Sequence, residues 1–165
     1  MSLQHAAPDP EAFQPSFELS IARLIDAPRS QVFRAWTDPD LLCQWWGPHG
    51  MTTPLCQMEL WPGGLFRTLM RGPDGTEYDN RGVFLEIETP RRIVFTDAFQ
   101  PGWIPSAKPF MTAVITLEDL HGKTHYRARA LHWSDKDRRE HEAMGFHQGW
   151  GQSLDRLVEL LAAMD

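Results

Sequence analysis

The sequence has little cysteine and no motif that would use it. Among its 165 residues are two cysteines, Cys43 and Cys56, whose spacing fits neither a zinc site nor a redox pair. No stretch approaches the roughly 18 consecutive apolar residues that a membrane helix needs, and no charged-then-apolar leader suggests export. We therefore expect a cytoplasmic protein with two reduced thiols, no bound metal and no membrane association.

Positive charge is also scarce. The 16 lysines and arginines stand against 22 acidic residues, which gives a formal net charge of −6. A nucleic-acid-binding face uses clustered basic side chains to displace counterions from phosphates, and no such cluster is visible. A phosphate loop, a nucleophile elbow and a dinucleotide fingerprint are missing as well. We therefore predict no nucleic acid partner and no cofactor.

The sequence does divide clearly into structural elements. Residues 1–16 are rich in proline and alanine without periodicity, and we interpret them as a flexible N-terminal arm preceding a single domain, residues 17–165. In FELSIARLI the apolar residues alternate, which predicts a half-buried strand. Pro28 and the pair Asp38-Pro39 then mark the starts of two short helices, because proline is favoured at the first helical position and aspartate before it.

The remaining sequence predicts a sheet and one long helix. Six strands separated mainly by tight turns extend from TPLCQMELW to KTHYRARALHW, and their connections are too short for crossover helices. Apolar residues then recur at helical spacing from Phe146 to Leu161, after a break expected near Gly145. The long helix is the element able to cover the apolar face of the sheet. The predicted fold class is α+β, with a curved antiparallel sheet wrapped around a C-terminal helix.

Three motifs carry a resemblance to a known family. They are WTDPDLLCQWWGP, then PGGLFRTLMRGPDG with GVFLEIETPRRIVFTDAF, and finally HEAMGFHQGWGQSLDRLVELL. From Phe17 to Ala163 the chain resembles the family named after the activator of the heat-shock protein 90 ATPase, in the SRPBCC superfamily of START and pollen-allergen-like proteins. The resemblance implies a helix-grip fold with a hydrophobic cavity, since members of the superfamily bind lipids, hormones or polyketides and a few catalyse cyclisation or dehydration. The namesake co-chaperone has an additional N-terminal domain for which we see no room here, so the name implies no activity.

Aromatic side chains are expected to enclose the cavity. Adjacent helical residues point about 100° apart, so one of Trp45 and Trp46 should pack inward and the other should lie at the cavity rim, unless both only seal the short helices. Alanines beside Tyr126 on the inward face of the last strand leave volume for a pocket, and Trp103 lies in a proline-rich loop suited to a lid. The predicted ligand-binding residues are Trp45, Trp46, Phe66, Met70, Phe95, Phe99, Trp103, Tyr126, His132, Met144 and Trp150.

Two ionisable residues, His132 and Asp97, are predicted to point inward. A histidine beside a carboxylate can perform acid–base chemistry, but an inward histidine is more often simply hydrogen-bonded, and their strands are not expected to be neighbours. His141 opens the segment HEAMG, where Gly145 occupies the place of the second histidine of a zinc protease motif. His132 and Asp97 are therefore the catalytic candidates, and no metal site is predicted.

Three functional hypotheses follow, ranked by how little each needs beyond the fold. The first is a protein that binds a small hydrophobic or aromatic ligand in the cavity. The second is a cyclase- or dehydratase-type enzyme that uses His132 and Asp97 in the same cavity. The third is a protein-interaction module, with the chaperone as a partner by family name alone, which needs an exposed apolar patch outside the cavity. Edge strands and surface tryptophans are compatible with a homodimer, although nothing in the sequence specifies one.

Overall fold

The computed structural model describes residues 17–164, so the predicted arm, residues 1–16, lies outside the described residues. The elements in chain order are β1 (Glu18–Ile25), α1 (Arg29–Thr37), α2 (Pro39–Trp45), β2 (Thr52–Met58), β3 (Leu65–Arg71), β4 (Glu77–Glu88), β5 (Arg92–Thr96), β6 (Phe99–Gln100), β7 (Ile104–Pro105), β8 (Thr112–Leu120), β9 (Lys123–Leu131), α3 (Asp135–Ala143) and α4 (Phe146–Ala163).

Seven strands form one antiparallel sheet in the order β1-β9-β8-β5-β4-β3-β2. The sheet and α4 share a hydrophobic core to which α4 contributes Leu154, Leu157 and Leu161. The α+β helix-grip architecture predicted from the sequence is therefore confirmed. The predicted loop between β5 and β8 additionally contains β6 and β7, which pair as a two-residue hairpin. Among the described helices, none is both long enough and apolar enough to cross a bilayer.

The helix boundaries follow local sequence signals. The carboxylate of Asp38 accepts a hydrogen bond from the backbone N–H of Asp40 at 2.9 Å, and Pro39 occupies the first position of α2. Ser134 caps α3 in the same way. The predicted break lies at Gly145, whose φ of 95° falls in the left-handed region that glycine adopts without a steric penalty.

Two features bend the sheet around α4. The register between β4 and β5 shifts between Phe84 and Glu86, and such a bulge increases the local twist of a strand. At Gly82 an added Cβ would lie 2.1 Å from the carbonyl oxygen of Thr96, so the two backbones approach more closely than any side chain permits. On β9, Tyr126 and Ala128 are buried, as the predicted alternation requires.

The cysteines have the state expected from the sequence. Cys43 and Cys56 are both free thiols and both are half-buried. Burial, with a smaller contribution from Cys43, raises the pKa of Cys56 to about 12. The Cys56 thiol is therefore protonated and unreactive at neutral pH.

Arg156 of α4 holds the loop that follows α2. Its guanidinium lies within hydrogen-bond distance of five backbone carbonyls, those of Gln44 (3.1 Å), Trp46 (3.2 Å), Gly47 (2.9 Å), Pro48 (3.5 Å) and Met51 (3.3 Å). One turn earlier, the hydroxyl of Ser153 donates to the carbonyl of Trp45 at 3.0 Å. These carbonyls lie at the C-terminal end of a helix, where backbone acceptors lack helical partners. Arg156 therefore fixes the direction in which Trp46 leaves the helix.

Replacing Arg156 with methionine should reduce the free energy of unfolding by about 2 kcal/mol. Methionine keeps the apolar part of the arginine side chain but removes the charged N–H donors, so the partly buried carbonyls lose their hydrogen bonds. Urea denaturation followed by tryptophan fluorescence measures the change. Arg91→Met is the matched control, since the Arg91 side chain is 60% exposed and its ion pair with Glu88 should contribute under about 0.5 kcal/mol. Equal losses in the two variants would contradict a specific role of Arg156.

Candidate ligand-binding cavity

A cavity of about 400 Å³ lies between the sheet and the helices. Residues from α1, α2, β3, β4, β5, β9, α3 and α4 line it, together with the loop after α2, the segments that follow β5 and precede β8, and the junction between α3 and α4. The volume falls in the range of small-molecule sites, which are concave and mainly apolar. Met144, 75% exposed at that junction, and the segment Gly47-Pro48 are also lining residues, and they mark the mouth.

Trp46 occupies the centre of the aromatic part of the wall. Trp45 is only 2% exposed and donates its indole N–H to the carbonyl of Ala35 at 2.9 Å. Trp46 is half-buried, and its ring centroid lies 5.7 Å from that of Phe66 and 6.5 Å from that of Trp150. The two adjacent tryptophans thus differ in role, since Trp45 anchors α2 in the core and Trp46 connects the sheet side of the wall to α4.

The structure brings most of the predicted ligand-binding residues together. Those that line the cavity are Trp45, Trp46, Phe66, Met70, Phe95, Tyr126, Met144 and Trp150. Phe99, Trp103 and His132 do not. Trp103 is 52% exposed, packs over Gly63 and meets the ring of Phe99 edge-on at 5.8 Å, so it forms a separate surface cluster and does not serve as a lid.

Sequence reasoning missed several lining residues. They are mainly Trp36, Phe110, Met111, His141, Phe146 and Leu154. Phe110 and Met111 begin the segment FMTAVITLED that the sequence predicts as a strand, but β8 starts only at Thr112, and both side chains line the cavity although alternation would place them on opposite faces. His141 carried no usable signal either, because the break at Gly145 interrupts the helical periodicity that would relate His141 to the lining residues of α4.

His132 and Asp97 are not paired. Asp97 lines the cavity, but its carboxylate accepts hydrogen bonds from the backbone N–H groups of Phe110 (2.8 Å) and Met111 (3.1 Å), so it anchors the start of β8. His132 is 6% exposed and lies behind the wall, where Nε2 is 2.8 Å from Nδ1 of His141. His132 is therefore paired with a second histidine and not with a carboxylate.

The histidine and the two tyrosines aside, the charged groups of the described cavity wall are Asp97 and Arg81. Burial, and to a smaller extent His132, lowers the pKa of His141 to about 4, and burial raises the pKa of Tyr126. Both side chains are therefore neutral. Arg81 lies at the half-exposed edge and is paired with Asp79, whose pKa is held at about 2 by Arg67 and Arg81. Within residues 17–164 no group of three or more His, Cys, Asp or Glu side chains is placed to hold a metal ion.

Comparison with solved structures shows the same fold in bacterial proteins. A protein from Nitrosomonas europaea is 38% identical, with a TM-score of 0.86 over 88% of this chain and 94% of that one. A protein from Arthrobacter aurescens is 26% identical, with a TM-score of 0.76 over 98% and 93% of the two chains. The AHSA1 protein from Silicibacter pomeroyi shares the fold at 23% identity, with a TM-score of 0.67 over 90% and 99%.

A search of curated proteins finds no match. At the level of families, residues 26–162 match the activator of Hsp90 ATPase homolog 1-like proteins, a match that includes both short helices, the whole sheet after β1 and nearly all of α4. With the helix-grip fold and the motifs around Trp45, Gly82 and Gly149, this match shows that the chain belongs to the activator of Hsp90 ATPase homolog 1-like family of the SRPBCC superfamily.

Proposed function

We propose that this protein binds a small hydrophobic or aromatic ligand in the cavity between the sheet and α4. The observation that carries the proposal is the 400 Å³ cavity with its mainly apolar wall, to which ten Phe, Trp and Tyr residues contribute. Protein interiors are normally packed to the density of organic crystals, and unfilled apolar volume lowers stability. A cavity of this size is therefore a feature that binding can explain and packing cannot.

Gly149 supports the proposal from the helix side. It lies inside α4 and lines the cavity, yet a Cβ added there would meet no atom within 4 Å. Glycine in a helix interior costs about 1 kcal/mol relative to alanine. Neither close packing nor a left-handed backbone requires glycine at this position, so the residue keeps volume free at a cost in stability.

Catalysis is not part of the proposal. The enzyme hypothesis required His132 and Asp97 to converge on the cavity, whereas Asp97 is engaged by two backbone N–H groups and His132 lies behind the wall. The cytoplasmic location stays a prediction from the sequence.

A second candidate function is protein interaction, which is favoured by a different surface. Trp61, Trp103 and Ile104 are 56%, 52% and 60% exposed, and Trp103 packs over Gly63, two residues after Trp61. Exposed apolar groups of this size are common at binding surfaces for other proteins. The interaction hypothesis needs an apolar patch outside the cavity, and the exposure of these residues supports it.

Gly149→Leu should weaken binding of the neutral fluorescent probe N-phenyl-1-naphthylamine at least tenfold, because the new side chain enters open cavity volume. Binding is measured by the rise in probe fluorescence on titration. Gln148→Leu is the matched control, since Gln148 is exposed and does not line the cavity. Unchanged affinity in Gly149→Leu would contradict binding in this cavity. Independently of the probe, native mass spectrometry before and after solvent extraction identifies any co-purified ligand.

For the interaction hypothesis, the measurement is the ATPase rate of heat-shock protein 90 with and without this protein. If the exposed patch contacts the chaperone, the rate should rise, and Trp103→Ser should abolish the rise without changing probe binding, because Trp103 lies outside the cavity. An unchanged ATPase rate with the unmodified protein removes the hypothesis.

A further inference from the structure

Two buried histidines form a chain of hydrogen bonds that ends on the backbone. Nδ1 of His132 lies 2.6 Å from the carbonyl oxygen of Phe17, and Nε2 of the same ring lies 2.8 Å from Nδ1 of His141. His132 and His141 are 6% and 8% exposed. The chain connects the residue before β1 to α3, with His132, directly after β9, in the middle.

The direction of this chain follows from which atoms can donate. A carbonyl oxygen only accepts, so Nδ1 of His132 carries a proton. In the tautomer with a single proton on the His132 ring, Nε2 has a lone pair and accepts the proton on Nδ1 of His141. A neutral His141 protonated at Nδ1 has no proton on Nε2. The backbone carbonyl thus sets the tautomer of both rings.

Nε2 of His141 is then an acceptor without a protein partner among residues 17–164. The His141 side chain lines the cavity while being more than nine-tenths buried. Its other neighbours are aromatic, with the ring of Phe110 at 4.6 Å and that of Phe146 at 5.1 Å. Neither ring can donate a conventional hydrogen bond to it. Because Nε2 is not enclosed by protein atoms and His141 lines the cavity, a donor in the cavity can reach it.

We propose that the ligand is an aromatic alcohol of the phenol class, whose hydroxyl donates to Nε2 of His141 while its ring packs within the aromatic wall. The proposal rests on the proposed binding function and specifies its ligand. A neutral hydroxyl suits this position because Nε2 has a lone pair to accept its proton. A carboxylate would instead place a charge against a lone pair inside an apolar wall. A site built around a hydrogen bond discriminates strongly against analogues that cannot make it.

The neutral state of His141 can be tested without a ligand. In the unfolded chain a histidine takes up a proton near pH 6.5, whereas burial and the neighbouring His132 lower the pKa of folded His141 to about 4. Between these values the unfolded state binds more protons, so stability is lost as the pH falls. The urea midpoint of the wild type should therefore fall more steeply from pH 7 to pH 4.5 than that of His141→Asn. Parallel curves would contradict a neutral His141.

His141→Asn is chosen because its amide nitrogen can take the place of Nδ1 and donate to His132, while nothing replaces Nε2. His141→Gln provides the opposite change, since its amide oxygen reaches as far as Nε2 and can accept from the ligand. The ligand probes are 2-naphthol and 2-methoxynaphthalene, which share the ring system and differ in the hydroxyl proton. The methoxy compound is the more hydrophobic, so burial alone favours it.

Displacement of N-phenyl-1-naphthylamine at pH 7 measures both affinities. We expect 2-naphthol to bind about tenfold more tightly than 2-methoxynaphthalene in the wild type, the effect of one hydrogen bond to a buried acceptor. The preference should disappear in His141→Asn and return in His141→Gln. Equal affinities in the wild type, or a preference that survives in His141→Asn, would overturn this inference while leaving the binding function intact. If neither compound nor the fluorescent probe binds, the cavity proposal fails and this inference with it.

Discussion

The hydrogen bonds from Arg156 to the loop after α2 are the constraint on which the cavity depends. A helix ending at Trp45 presents carbonyls that need donors, and α4 supplies them through one guanidinium and the hydroxyl of Ser153. The same contacts connect α4 to the end of α2 and the loop after it, and both of these parts line the cavity. With its backbone held in this way, Trp46 packs its ring against Phe66 of the sheet and Trp150 of α4.

The sequence predicts the elements that depend on neighbours along the chain. Asp38-Pro39 starts α2, Gly145 separates α3 from α4, and alternation on β9 turns Tyr126 inward because each signal acts within a few residues. The contacts that define the site instead join residues that are far apart in the sequence. Arg156 is 110 residues from Trp46 and His132 is 115 from Phe17 in the sequence, and no local pattern encodes such pairs.

Alternation explains both the successes and the failures among the candidate site residues. It gives the face of a strand on which a side chain lies, and for Phe66, Met70 and Phe95 that face is the cavity. It does not give depth along the strand. Phe99 falls beyond β5 in the small hairpin, and His132 lies past the end of β9, so both leave the region that the face alone predicts. Identifying the partner of a polar side chain requires the tertiary structure, as Asp97 shows.

Three unfavourable features coincide on the wall of this one cavity. Gly149 lowers helix stability, Nε2 of His141 lacks a protein donor among the described residues, and the indole N–H of Trp36, which also lines the cavity, is buried without an acceptor there. A buried polar group without a partner costs about 1–3 kcal/mol, which applies to the Trp36 indole, whereas Nε2 of His141 is accessible from the cavity. Features that are unfavourable in the empty protein are expected where a bound molecule compensates for them. A ligand with a flat apolar body and one donor would fill the cavity and donate a hydrogen bond to His141 at the same time. One bound molecule therefore explains why the unfilled volume and the unpaired acceptor occur in the same place.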